Sequence, residues 1–326
     1  MESHRAHRRP ARPSRRRPLV YSALASAVIV GATAAGTAYV KAQAHTGSGA
    51  VSSAASATAP SASATVNEEA SVEPVVETSV DRAALLAKAM KSVTVEAGAE
   101  VSVAVLDVDS GESASYGDGT FDTASIVKVD ILAALLLQAQ DAGRHLTAQE
   151  KAYATAMIEN SDNTSASALW KSIGQADGLG TANKRFGLTA TEGGTGMLWG
   201  LTQTDAADQL ALLQQVFGDD SELSETSRAY LQGLMGRIEA DQHWGVSAAA
   251  DGSAWALKNG WLARSTTGLW DINSIGRVTA DGHDYLVATL SNGNSTQAKG
   301  ISLVEAAAKA AVSAFSDSAD SAESTD

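Results

Sequence analysis

Thr123-Ala124-Ser125-Ile126-Val127-Lys128 runs directly into Val129-Asp130-Ile131-Leu132-Ala133-Ala134-Leu135-Leu136-Leu137. The second stretch is apolar on every side of a helical wheel except at Asp130, which predicts a buried helix. The first places Ser125-x-x-Lys128 at its start. Residues three apart on a helix share a face, so the spacing predicts that the Lys128 amine reaches the Ser125 hydroxyl. The opening turn of a helix also offers unpaired N–H groups and the positive end of the dipole. A serine so placed has a base and an environment that stabilises an alkoxide, as an activated nucleophile requires. By itself the pattern equally describes an N-cap serine and a solvated lysine, so the decision rests on the flanking sequence.

Working outward, period-2 patterning and turn residues predict two strands before Ser125, around Val101–Val105 and Glu112–Tyr116, joined at Asp109-Ser110-Gly111. A helix over Asp81–Lys91 precedes them. Helices follow Ser125 without an intervening strand. Thr147-x-x-Glu150 is a capping box, and further helices are predicted at Thr164–Ile173, Asp177–Phe186, Ala206–Phe217 and Ser224–Met235. After Ser247 strands are predicted at Trp255–Leu262, Trp270–Val278 and Asp284–Leu290, the last two joined through the hairpin signal Asp281-Gly282. An Ala-rich helix, Leu303–Phe315, closes the domain. The fold class expected is α+β: an antiparallel sheet built from both ends of the domain, flanked by N- and C-terminal helices, with an all-helical subdomain inserted at about 129–245.

Outside that domain the composition changes. Seven arginines fall within the first 17 residues, so the rest of the chain is more acidic than the overall net charge of −13. An acidic body argues against nucleic acid as a partner. Arg15-Arg16-Arg17 precedes a weakly apolar run over 19–40, with Ala42-Gln43-Ala44 beyond it. This pattern predicts export, either through a cleaved signal or with anchoring in the membrane through 19–40. Residues 1–44 are thus read as targeting sequence, 45–79 as an Ala/Ser/Thr-rich spacer, 80–316 as the folded domain and 317–326 as an acidic tail. The chain has no Cys, which excludes thiol nucleophiles, thiolate metal sites and disulfides. The six His are scattered without a metal-binding spacing, and there is no phosphate loop or dinucleotide fingerprint. No cofactor or metal is expected, and the chain is read as a monomer.

Two further polar elements fall where the helical insert meets the sheet: Ser161-Asp162-Asn163, between two predicted helices, and Lys258-Asn259-Gly260, on the first strand after the insert. Ser-x-x-Lys, Ser-Asp-Asn and Lys-x-Gly in this order form the motif set of class A β-lactamases and penicillin-binding proteins, and residues 80–316 resemble that superfamily, its class A-like branch in particular. Tyr116-Gly117 before the serine and Asn273-Ser274-Ile275-Gly276 after Lys258 add to the resemblance. It implies an acyl-enzyme on Ser125, with Lys128 taking its proton, Ser161 relaying a proton to the leaving nitrogen, and Lys258 stabilising the site and attracting a substrate carboxylate. It also implies substrate contacts for Asn163, Asn259 and Gly260, and an oxyanion hole from the N–H groups of Ser125 and Trp261. Trp199 and Trp261 are candidate cleft walls.

Three departures accompany the resemblance. The span from Lys128 to Ser161 is shorter than in most class A enzymes, Asn259 stands where Thr or Ser is usual, and the loop 188–200 lacks the Glu-x-x-Leu-Asn pattern that carries the deacylating base. Glu192 is the only carboxylate in that loop and the sole candidate for the role. The expected function is an exported serine hydrolase acting on a β-lactam or a related amide or ester, with a small-molecule or peptidoglycan-like substrate. Two alternatives stay open: a D-Ala-D-Ala-peptidase-like protein that is acylated but slowly deacylated, and a non-catalytic wall-binding module.

Overall fold

The computed structural model describes residues 80–316. The expected targeting segment, spacer and acidic tail lie outside the described residues. Two strands, β1 (Glu100–Asp107) and β2 (Ser113–Tyr116), follow helix α1 (Arg82–Met90). The last three strands are β5 (Trp255–Ala263), β6 (Trp270–Ala280) and β7 (His283–Asn294), and helix α8 (Gln297–Ser316) ends the domain. These strands form one antiparallel sheet in the order β2-β1-β7-β6-β5. β1 pairs with β7 through eight residues, from Glu100↔Asn292 to Asp107↔Tyr285, so the two ends of the domain are hydrogen-bonded to each other at the centre of the sheet.

Both faces of that sheet are buried, and the strand residues sort by parity. On β1, Val103 and Val105 join Leu86 and Met90 of α1 and Ala307, Ala311 and Phe315 of α8 in one core cluster. Ala104 points the other way, with Leu286, Ala288 and Leu290 of β7, into the cluster formed by the helical insert. The alanines of α8 let that helix lie close to the strands. Gly300 marks the tightest approach, since a Cβ there would sit 2.4 Å from Ile272.

The insert contains α2 (Val127–Asp141), α3 (Ala148–Glu159), α4 (Asn163–Ile173), α5 (Gln175–Phe186), α6 (Ala206–Phe217) and α7 (Glu225–Met235). Twelve of the fifteen α2 residues are buried, Lys128 and Asp130 among them, so α2 is the axis around which the other helices pack. The capping box at Thr147 and Glu150 is formed. The small sheet of β3 (Phe121–Asp122) and β4 (Gln203–Thr204) is not evident in the sequence, because two-residue strands carry no periodicity. The C-terminal elements also run further than expected: β7 reaches Asn294 and α8 begins at Gln297.

Asp130 is the one carboxylate of α2's buried face. Asn183 Nδ2 donates to its Oδ2 at 3.0 Å, while Asp130 Oδ1 and Asn183 Oδ1 have no hydrogen-bond partner among the described residues. A proton on Asp130 would supply the missing donor. Burial raises this carboxyl to about 7; the charge of Asp208 acts in the same direction and the Asn183 bond in the opposite one. A folded pKa above the unfolded value gives stability that is complete below about pH 4 and lost as pH rises through about 7. Asp130→Asn, which keeps the shape and supplies a permanent donor, should therefore be more stable than the parent at pH 8 by a few kcal/mol. At pH 5 the two should differ little. Urea denaturation of both proteins at the two pH values checks this; an unchanged difference between them would contradict it.

Candidate active site

The peptide that carries Ser125 is a 3-10 turn, Ala124–Ile126, joined directly to α2. Ala124 has φ +47°, a left-handed conformation that costs a non-glycine residue about 1 kcal/mol or more. The turn is held from three sides. Thr123 N–H donates to Thr202 O at 2.8 Å. Asn273 Nδ2, on β6, donates to Asp122 O at 2.9 Å and to Thr123 O at 3.1 Å. Gly260, on β5, lies against the turn so closely that a Cβ would sit 2.7 Å from Thr123 O, 2.8 Å from Ser125 N and 2.9 Å from Ile126 N. The third motif therefore needs glycine for packing, independently of any substrate.

Asp122 ties the same region together from below. Its carboxylate accepts from Gln203 Nε2 and pairs with Arg264, at the end of β5. Arg264 also lies 3.8 Å from Asp271. Strand β3, the segment after the 188–202 loop and the β5–β6 hairpin are thereby linked three residues before the serine.

Lys128 has no exposed surface. Its ammonium donates to Ser161 O at 2.6 Å, to Ser161 Oγ at 3.0 Å and to Asn163 Oδ1 at 2.8 Å. All three donors are thus committed to the Ser161-Asp162-Asn163 corner, and among the described residues no hydrogen bond joins Lys128 to Ser125. The helical spacing predicted that contact. Ser125 instead stands on the 3-10 turn outside the regular helix, and the buried ammonium turns toward the corner that offers a carbonyl and two side-chain oxygens. Ser161 has φ +55°, which aims both its carbonyl and its hydroxyl at Lys128. The corner is fixed by Asp162, the N-cap of α4, whose Oδ1 accepts from Ser165 N at 2.7 Å. Burial lowers the Lys128 pKa to about 7, against a smaller upward pull from Asp162.

Lys258, on β5, is fully buried as well. Its amine donates to Asn259 O at 2.9 Å and lies 3.4 Å from Gln242 Oε1. Burial, and then the charge of Lys128, hold it well below the usual lysine range. Two indoles accompany the two amines: Lys128 Nζ is 5.1 Å from the Trp199 ring centre and Lys258 Nζ is 5.9 Å from that of Trp261. Trp261 is itself packed edge-on against Trp244.

Asn259, expected among the substrate contacts, is turned into the protein. Its side chain has no exposed surface. Nδ2 donates to Gln242 O at 2.7 Å and to Trp244 O at 3.0 Å, and Oδ1 accepts from Ser274 Oγ at 2.6 Å. The amide pins the irregular 240–249 segment to the sheet, and its hydrogen bonds are spent there.

Glu192 is exposed, and its backbone pairs with Gln203 beside the β3–β4 sheet. Among the described residues the carboxylate that acts on Lys128 is that of Asp162; no contact brings Glu192 to the amine. The residue of the 188–202 loop that faces Lys128 is Trp199, held by an Nε1 donation to Ser167 Oγ at 3.1 Å. One grouping of metal-type donors occurs among the described residues, Asp107, Asp109 and His283, with donor atoms within 4.8 Å of one another. It lies where the β1–β2 and β6–β7 turns meet, and Asp107 Oδ1 there accepts from the N–H groups of Asp109 and Ser110.

Sequence reasoning did not single out Asn273, Gln242 or Asp122 as site residues. Asn273 stood only within a matching fragment. Gln242 belongs to a short 3-10 turn with no patterning, and Asp122 precedes the motif without a distinguishing spacing.

The sheet order, the terminal helices, the helical insert and the serine turn at their junction define a β-lactamase-like serine hydrolase. The model of the beta-lactamase enzyme family matches residues 85–153 and 142–315, and the chain belongs to that family. Among solved structures, a point mutant of PBP-A in an acyl-enzyme complex with penicillin G superposes with a TM-score of 0.61 at 22% identity, over 72% of this chain and 97% of that one. TLA-1 extended-spectrum β-lactamase gives 0.62 at 15% identity, over 72% and 98%. A β-lactamase from Xanthomonas campestris gives 0.56 at 21% identity, over 70% and 95%. At these identities the likeness is one of fold. Among curated protein sequences none matches the chain.

Gly260→Ala tests the packing account of the third motif. The added methyl must displace the Ser125 turn, and sub-ångström to ångström shifts of a reacting group cost about 10²-fold in rate. If Ser125 is the acylated residue, its labelling by a fluorescent penicillin should fall by that order in a variant that stays folded by circular dichroism. An unchanged rate would mean that the turn has slack.

Proposed function

We propose that the protein is an exported serine acyl-transfer enzyme of the penicillin-binding kind, which forms an acyl-enzyme on Ser125 with β-lactams or related amides and releases it slowly. The observation that carries the reading is the surroundings of Lys128: a buried amine with a pKa of about 7, facing an indole where a water-activating carboxylate would be needed. Neutral Lys128 takes the Ser125 proton as Oγ bonds to the scissile carbonyl carbon. The oxyanion is stabilised by the Ser125 and Trp261 N–H groups. When the C–N bond breaks, Ser161 Oγ delivers a proton to the leaving nitrogen and is resupplied by Lys128. A substrate carboxylate beside Lys258 would favour the protonated amine that burial disfavours, and Asn163, exposed beside Lys128, hydrogen-bonds the substrate amide.

Release of the acyl group needs a second base to activate water. Glu192 is placed poorly for this, and Trp199 closes the side of Lys128 from which a loop residue would act. This favours the slowly deacylated alternative over rapid β-lactam hydrolysis. Export rests on the N-terminal sequence, which lies outside the described residues; among the described residues no helix is long and apolar enough to cross a membrane. A peptidoglycan-like natural substrate and a monomeric state belong to the same proposal.

Intact-mass analysis after incubation with a fluorescent penicillin tests the reading. A stoichiometric adduct should form, persist for at least many minutes, and be absent from Ser125→Ala. Rapid decay of the adduct would make the protein a working β-lactamase. No adduct on folded protein would leave the binding-module alternative.

The pH dependence gives a second test. Lys128 acts as a base only when neutral, and its depressed pKa places half-neutralisation near pH 7. The acylation rate should therefore rise from pH 6 to pH 8 and level off above. A rate still climbing steeply at pH 9–10 would show that Lys128 keeps an ordinary lysine pKa.

A further inference from the structure

A cavity of about 310 Å³ opens among the last turns of α2, the α2–α3 connection and the first turns of α7. Its floor is apolar, formed by the buried Leu136, Ala139 and Leu146, with Tyr230 on its wall. Its rim carries Arg144, His145 and Lys151. Arg144 is neutralised by Glu150, which accepts two hydrogen bonds from it at 2.9 and 3.0 Å. The Lys151 ammonium has no hydrogen bond or ion pair among the described residues and is exposed at the mouth. Thr226 also lines the cavity, while the Ser224 hydroxyl is spent as the N-cap of α7, accepting from Ser227 N and donating to Ser227 Oγ.

An apolar cleft with a few convergent polar groups is the usual form of a small-molecule site. Here the free charge at the mouth is the Lys151 cation, which selects an anion for the rim, and the leucine and alanine floor selects an apolar body. We propose that this cavity binds a small carboxylic acid with an aryl or alkyl body, the carboxylate on Lys151 and the body over Leu136, Ala139 and Leu146. The site is separate from the Ser125 chemistry: α2 presents Lys128 in its first turn and Leu136 and Ala139 in its last turns.

Titration calorimetry of the full chain with 4-phenylbutyrate, 4-phenylbutanamide and 4-phenylbutylamine tests this. A charge-assisted hydrogen bond should make the acid bind about tenfold more tightly than the amide, with the amine weaker still. Lys151→Met should erase the difference between acid and amide while keeping the apolar contribution. Lys151→Glu should weaken the acid further and favour the amine. Ser125→Ala should leave all three affinities unchanged, which separates this site from the catalytic cleft. Equal affinities for acid and amine, an acid preference that survives in both Lys151 variants, or no binding of the acid into the millimolar range would overturn the proposal.

Discussion

Burying the Lys128 amine is the constraint on which the rest of the site depends. Moving its pKa from 10.5 to about 7 corresponds to roughly 5 kcal/mol against the charged form. The Trp199 ring, 5.1 Å away, favours the charged form by only about 0.5–2 kcal/mol, so burial decides the outcome. An ammonium in such a place survives only with its donors satisfied. The left-handed Ser161, the Asp162 cap and the Asn163 amide supply that satisfaction together. The second motif is thus a receptor for the lysine of the first, and the strain at Ser161 is offset by three hydrogen bonds to one cation.

Two segments far apart in the chain are drawn to one point. β1 and β7 pair at the sheet centre, and the turn after β3 is held alongside β5 by Asn273 of β6. Gly260 then sets the distance between that strand and Ser125. Asn259, beside it, holds the 240–249 segment through two backbone carbonyls and Ser274. A hydroxyl in its place has one donor and could not reach both carbonyls. The departure from Thr or Ser at this position therefore has a structural explanation: the side chain has become a fastening of the wall that carries Trp244.

How much of this the sequence revealed follows from which features leave a local trace. The fold class was legible because both sheet faces are buried by alternating residues and because caps and turns punctuate the helices. The three motifs were legible as an ordered set. The direction of Lys128 was not, since the spacing rule assumes a regular helix through both residues, whereas Ala124 adopts φ +47° and lifts Ser125 onto a 3-10 turn. The fate of Asn259 was hidden for a different reason: its partners Gln242 and Trp244 lie in an irregular segment whose position only tertiary contacts define. Strands of two residues such as β3 and β4 have no period to detect.

Trp199, standing against Lys128, would act on both halves of the acyl-transfer cycle proposed for Ser125. A carboxylate against Lys128 would favour the ammonium and raise its pKa, so that a neutral base would be scarcer at pH 7. An indole leaves the amine poised near neutrality, which helps the step in which Ser125 loses its proton. The same indole offers no acceptor to orient or deprotonate water. On the proposed reading, one side chain would therefore favour formation of the acyl-enzyme while slowing its hydrolysis. That combination suits a protein whose product is the acylated serine itself, or one that passes its acyl group to a nucleophile better than water.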